Sequence, residues 1–221
     1  MPELDWRGET PASPVHDDPY FSVHDGLAET RAVYLEGCGL PARYRPGFVL
    51  AELGTGAGLA LAAAWAEWRR AGCSDALRYE GFEAAPIAGA QVARALATFA
   101  EIAAEAGMLA AAWDEGVRAG RLALPGLDAR IHIGDARRAV PAWDGAADAW
   151  FLDGFAPARN PDMWEPALLA AVAARTAPGG RLASYTAAGH VRRALAAAGL
   201  EVARVPGHGA KRHMTRARRP A

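Results

Sequence analysis

The sequence predicts an α/β fold, a mostly parallel doubly wound sheet that ends in an antiparallel final strand. Three observations predict it. From Phe48 onward, short apolar runs alternate with alanine-rich helical stretches, the rhythm that strand–helix–strand crossovers leave in a chain. The first run passes through Glu52-Leu-Gly-Thr-Gly-Ala-Gly58 directly into a helical pattern. Glycines there let a ligand approach the backbone closely at a helix N-terminus. The runs also end on carboxylates: Glu52, Glu83, Asp135 and Asp153. In an open parallel sheet, ligands bind beyond the carboxyl ends of the strands, so four acids there would line one ligand edge.

Taken in order, Met1–Pro19 holds four prolines and no periodicity, and is expected to be a flexible lead-in. Tyr20–Tyr44 mixes aromatic and apolar residues with Glu29 and Arg31, which suggests a loop and a short helix; it can cover a ligand pocket or simply pack. Phe48–Leu53 reads as the first strand and Leu59–Ala71 as the helix after the glycine loop. Leu77–Glu83 is the second strand, and Pro86 suits the first position of a helix running towards Ala100. The alanine-rich stretch on to Leu127, with Trp113, is expected to be helical and to pack outside the sheet. Arg130–Gly134 and Asp148–Leu152 are the third and fourth strands, followed by a helix over Trp164–Thr176. Pro178-Gly-Gly180 is read as a turn into a fifth strand, Arg181–Thr186; a helix over Ala187–Ala198 stops at Gly199. Leu200–Val205 and about Arg212–Arg216 close the sheet, giving one domain over residues 20–216 and a basic tail over 217–221.

The totals fit that plan. A chain of 221 residues, 52% hydrophobic and 22% charged, has core enough for one unstapled domain. A net charge of −1 does not by itself indicate a polyanion partner. Cations nevertheless crowd the end of the chain at Lys211, Arg212, Arg216, Arg218 and Arg219, either as a nucleic-acid footprint or as a solvated tail. Cys38 and Cys73 lack metal-site spacing, so no metal is expected, and two free thiols suit a reducing compartment. No apolar run is long enough for a bilayer and the N-terminus lacks a signal core, so the expectation is a soluble, cytoplasmic protein.

The loop Asp153–Trp164 carries the richest chemistry: an acid, an aromatic, two prolines, an amide and a second acid after a buried strand. Asp153-Gly154 alone is also what a plain turn looks like. The glycine spacing favours the functional alternative. A dinucleotide site needs GxGxxG, whereas Gly54, Gly56 and Gly58 are spaced GxGxG behind Glu52, an acid that repels phosphate and suits a cationic ligand. ExGxGxG resembles the glycine loop of S-adenosylmethionine-dependent methyltransferases, a Rossmann-like fold. That resemblance implies cofactor contacts from Glu52, Gly54, Thr55, Gly56, Gly58, Glu83 (ribose hydroxyls), Asp135 (adenine amino group) and Asp153. In amine-modifying members the strand-four loop carries an acid or amide, a proline and an aromatic, which implies catalytic positions at Asp153, Phe155 and Pro157. An alkylamine must be neutral to attack, and Asp153 can orient it and take its proton, with Phe155 packed against the substrate base or the sulfonium. Phe155 and Trp164 also read as core packing.

A narrower likeness follows. PYFSVHDGLAETRAVYLEG (19–37), ELGTGAGL (52–59), DAWFLDGFAPARNPDMW (148–164), PGGRLASYTAAGHVRRAL (178–195) and GHGAKRHM (207–214) closely resemble one family. It is the methyltransferase component of the bifunctional bacterial enzyme that makes 5-methylaminomethyl-2-thiouridine in tRNA. The resemblance implies N-methylation of 5-aminomethyl-2-thiouridine at wobble position 34 with S-adenosylmethionine as cofactor and tRNA as partner. It implies substrate contacts from Glu29, Asn160, Met163, Trp164, Lys211 and Arg212. No flavin-dependent oxidase segment is recognisable, so a stand-alone form working after a separate enzyme that generates the aminomethyl group is expected. The family's glycine loop differs at Thr55, Ala57 and Ala60, and Ala84 and Ala85 replace a lysine and a bulky residue. Two rival readings are an N-methyltransferase for a small amine and a non-catalytic RNA- or protein-binding module with a residual cofactor pocket; the oligomeric state is not read from the sequence.

Overall fold

A computed structural model describes residues 2–221; Met1, the first residue of the expected lead-in, lies outside them. Three short strands come first, β1 (Asp5–Arg7), β2 (Thr10–Ser13) and β3 (Asp18–Pro19), paired antiparallel as a separate small sheet. Helix α1 (Gly26–Thr30) continues into a π-helical turn over Arg31–Leu35. The alternating part then runs β4 (Val49–Leu53), α2 (Leu59–Arg70), β5 (Leu77–Glu83), α3 (Gly89–Leu96), α4 (Ala103–Ala119), β6 (Arg121–Leu124), β7 (Leu127–Ile133) and α5 (Ala136–Ala142). It continues as β8 (Ala147–Leu152), α6 (Pro166–Ala174), β9 (Thr176–Ser184), α7 (Gly189–Ala197), β10 (Glu201–Pro206) and β11 (His213–Arg218).

The eight-stranded sheet has the order β10-β11-β9-β8-β4-β5-β7-β6. Its middle, from β9 to β7, is parallel; β6 pairs antiparallel at one edge, and β11 and β10 pair antiparallel at the other. The chain leaves β4 towards β5 on one side and returns on its other side as β8, which makes the ends of β4 and β8 the switch point where such folds bind ligands.

Side-chain alternation assigns the two faces. Leu50, Ala149, Phe151 and Ala183 join the core under α2 and the π-helical turn, while Ala51, Leu53, Trp150 and Leu152 join the core under α5, α6 and α7. Both faces are covered, so every residue of β8 is buried. Asp148 is tolerated there because Val49 N donates to it at 2.9 Å and Arg45 pairs with it at 2.6 Å. The alanines of α2 bring that helix close to the sheet, with Trp65 and Trp68 fully buried.

Several expectations need correction. Residues 5–19, read as a flexible lead-in, hold β1–β3, and Thr10, Ala12 and Ser13 are buried. The stretch to Leu127 is not helical throughout: Gly120 ends α4 in the left-handed region, and Pro125-Gly126 turns β6 into β7, adding an antiparallel edge strand. Helix α3 starts at Gly89 rather than Pro86, and α6 at Pro166 after a 3-10 turn over Pro161–Trp164. Pro178-Gly-Gly180 is no turn ahead of a strand but an irregular part of β9, where the register with β8 shifts between Ala147 and Ala149. The basic tail is tied down: Arg218 lies in β11 and pairs with Glu201 at 3.0 Å, and Arg219 donates to the carbonyls of Ala174 (3.2 Å) and Thr176.

Two backbones also approach closely at the switch point. Gly54, at φ +80°, has room for no side chain: a Cβ there would sit 2.5 Å from the Asp153 carbonyl oxygen. Gly54→Ala should therefore lower unfolding free energy by about 1–3 kcal/mol in urea titrations, combining a strained φ with a clash against backbone; an unchanged midpoint would show that the two loops are not pressed together.

Candidate active site

A cavity of about 560 Å³ opens beyond the carboxyl ends of β4, β5 and β8. Its floor is the glycine loop, with Gly54 at φ +80°, Gly56 at +53° and Gly58 at +76°. Gly56 N donates to Glu83 Oε2 at 2.9 Å and Ala85 N to Glu83 Oε1 at 2.8 Å, so the acid ending β5 anchors the loop and faces the cavity. Thr55, almost fully buried, packs over Gly81 of β5, where any side chain would collide with its hydroxyl.

Asp153 stands at the opposite wall. The Tyr34 hydroxyl, presented by the π-helical turn, donates to its Oδ1. Burial pushes the Asp153 carboxyl up to about 7, opposed by the Tyr34 hydrogen bond and by Lys211 and reinforced by Glu29. Glu52 is still more enclosed; burial first, then Asp153, holds its carboxyl well above the carboxylate range, although the Tyr79 hydroxyl donates to it. Two acids sharing one dry region titrate as a pair.

The loop after Asp153 is braced from several sides. Trp164 Nε1 donates to the Phe155 carbonyl at 2.8 Å, Tyr185 Oη to the Gly154 carbonyl at 2.8 Å, and Ala156 N to Asp18 Oδ2 at 2.8 Å. The Phe155 ring lies between His16 (4.7 Å) and Tyr20 (5.1 Å). The small N-terminal sheet thus closes the cavity, with Ser13, His16 and Asp18 on its wall. On the far side Lys211 Nζ pairs with Glu29 Oε1 at 2.8 Å and sits 4.1 Å above the Tyr185 ring.

Of the candidate residues, Glu29, Gly54, Thr55, Gly56, Glu83, Asp153, Phe155, Asn160, Met163 and Lys211 line this cavity. The others do not. Glu52 lies beneath the loop against Tyr79, and Gly58 caps α2. Asp135 caps α5 through Arg137 N (2.9 Å) and pairs with the Arg137 side chain at 2.8 Å. Pro157 stays outside the lining, Trp164 is buried in the core under α6, and Arg212 is exposed beyond the rim. Residues the sequence reading did not single out are Tyr20, Tyr34, Tyr79, Tyr185, His16 and Asp18. Tyr34 and Asp153 are 119 positions apart, and no local spacing reports such a pair.

Comparison with known proteins accords with this geometry. A family described as S-adenosyl-L-methionine-dependent methyltransferase matches residues 101–220, more than half of the chain. A tRNA 5-methylaminomethyl-2-thiouridine biosynthesis bifunctional protein MnmC from Caulobacter vibrioides is 49% identical over 98% of this chain and 38% of its own length. A protein of that name from Chromohalobacter salexigens is 42% identical over 96% of this chain and 32% of its own. The chain therefore spans about a third of the length of these relatives. The crystal structure of MNMC2 from Aquifex aeolicus superposes with a TM-score of 0.79 over all of this chain and 72% of that one at 23% identity, a likeness of fold. Among the described residues no helix is long and apolar enough to cross a membrane.

Because burial raises both Glu52 and Asp153, the folded protein keeps protons that the unfolded chain has released. Their contribution to stability is present at low pH and lost as pH rises through about 7, the folded Asp153 value. Asp153→Asn, which copies the protonated form, should raise stability by about 1–2 kcal/mol near pH 8.5 and change it little near pH 4, read from thermal melts. Equal effects at both pH values would mean that Asp153 is not held protonated.

Proposed function

Because the chain belongs to the S-adenosyl-L-methionine-dependent methyltransferase family, we propose that it methylates the amine of 5-aminomethyl-2-thiouridine at the tRNA wobble position, giving 5-methylaminomethyl-2-thiouridine. The relatives at 42–49% identity are named for this modification. The observation that carries the reading is the placement of Asp153. It is a half-buried acid on the wall shared by the glycine loop and by the polar end of the cavity at Glu29, Tyr185 and Lys211.

The glycine loop and Glu83 fit the cofactor. Gly54 and Gly56 expose bare backbone to the cavity, and each Glu83 oxygen holds one backbone N–H, which leaves a lone pair on each for a vicinal diol such as ribose. When bound there, S-adenosylmethionine supplies an electrophilic methyl group on a sulfonium sulfur. Asp153 holds the acceptor amine and takes its proton, and an acid pushed up to about 7 is matched to that task near neutrality. Tyr34 keeps the carboxyl oriented, as the donor in a hydrogen bond that leaves the second oxygen free. Phe155, fixed between His16 and Tyr20, offers a ring face against which the base or the cation packs. Asn160 and Met163 complete the acceptor wall, and exposed Arg212 meets tRNA phosphate outside it.

Incubation with methyl-labelled S-adenosylmethionine and tRNA from cells lacking this enzyme, followed by nucleoside mass analysis, tests the reading. Label is expected in 5-methylaminomethyl-2-thiouridine; unlabelled tRNA alongside a labelled small amine would replace it. Glu83→Ala should weaken cofactor binding by at least about tenfold in calorimetry, the loss of two hydrogen bonds to a charged oxygen pair. Unchanged affinity would remove Glu83 from the cofactor site.

A further inference from the structure

Lys211 is the only lysine in the chain, among 24 Lys and Arg residues. Every other side-chain cation of that kind is an arginine, yet the one that enters the cavity is a primary alkylammonium. Its surroundings form a receptor for such a group. The Glu29 carboxylate, largely shielded from solvent, accepts the ammonium at 2.8 Å, and the Tyr185 ring presents its face 4.1 Å away. Tyr185 is itself fixed by its hydroxyl bond to the Gly154 carbonyl, beside Asp153. An anion on one side and an aromatic face on another make a cation site, and the cation this chain places in it is the compact, multiply donating ammonium where every other such position carries the planar guanidinium.

We propose that Glu29 and the Tyr185 face form a primary-ammonium subsite for the acceptor, and that Lys211 fills it as a built-in mimic until the acceptor's own aminomethyl cation displaces it. The inference rests on the amine-methyltransferase reading and specifies where the amine docks. An aminomethyl group at physiological pH arrives as R–CH2–NH3+, the same terminus that Lys211 carries. Seated there, it lies next to Asp153; one N–H proton passes to the Asp153 carboxylate, the N–H bond electrons remain on nitrogen as the lone pair, and the neutral amine is formed inside the site. Lys211 has somewhere to go. It sits in the loop joining β10 to β11, where rotation of the long side chain alone carries the ammonium outward, and the next residue, Arg212, is already exposed. Withdrawn, the ammonium joins Arg212 at the rim, where a polyanion would hold it.

The single lysine makes the test direct. Labelling lysine with 13C at Cε gives one side-chain signal, shifted upfield in the free protein by the Tyr185 ring. Titration with methylammonium should move it to the solvent position, and guanidinium at the same concentration should leave it in place. Lys211→Met should bind methylammonium about tenfold more tightly than the unaltered protein, since no resident cation competes. Adding Glu29→Gln to Lys211→Met should abolish that gain, with thermal melts confirming that both variants fold. A lysine signal unmoved by methylammonium, equal displacement by guanidinium, or a Lys211→Met variant with unchanged affinity would each overturn the proposal. These measurements contain no RNA, so their failure is separate from failure of labelled methyl transfer to tRNA.

Discussion

The meeting of β4 with β8 is the constraint on which the rest of the site depends. Their parallel register sets Leu53 beside Leu152, and Asp153 N then donates to the Leu53 carbonyl at 3.0 Å. That bond brings the first glycine of the loop against the first residue after β8. Only glycine fits, because the Asp153–Gly154 backbone occupies the space a Cβ would need. The glycine loop and Asp153 are therefore placed by one ladder instead of by two independent loops, and a small error in either would separate them.

Around that junction the fold encloses acids and answers them with tyrosines. Tyr79 donates to Glu52, Tyr34 to Asp153, and Tyr185 to the Gly154 carbonyl. A phenol is a suitable partner here, since it supplies a hydrogen bond without the full positive charge that would pull a carboxyl back to its ordinary range. The result is a region rich in oxygen acceptors, raised in proton affinity and closed on one side by the small N-terminal sheet. Such a region suits a cationic cofactor and an ammonium acceptor, and it disfavours phosphate at the glycine loop, which agrees with the GxGxG spacing over GxGxxG.

The strands β4, β5, β7 and β8 of the parallel middle were readable because each ends at or beside an acid, as at Leu77–Glu83 and Asp148–Leu152. The glycine loop, Glu83, Asp153, Phe155, Glu29 and Lys211 were readable as cavity residues by motif and family likeness. The edges were not. Gly120 and Pro125-Gly126 do signal a helix stop and a hairpin, but the surrounding alanines and leucines masked them. Residues 5–19 looked disordered because prolines dominate, yet Asp18 is held by Ala156 N, 138 positions away, and nothing local announces that bond. Asp135 and Trp164, expected at the site, lie outside the cavity lining for a related reason. Their residue types suit a ligand, but Asp135 is satisfied by Arg137 and Trp164 by the Phe155 carbonyl, and only coordinates tell a satisfied group from an available one.

If Asp153 is the group that takes the amine proton, the pH dependence of single-turnover methyl transfer to tRNA, at saturating cofactor, reports it directly. The unaltered protein should show a rate that climbs with pH along a limb near neutrality. In Asp153→Asn that limb should vanish and the residual rate should follow only the acceptor amine's own deprotonation at higher pH. A neutral limb that survives unchanged in Asp153→Asn would contradict the assignment and move the base elsewhere in the cavity.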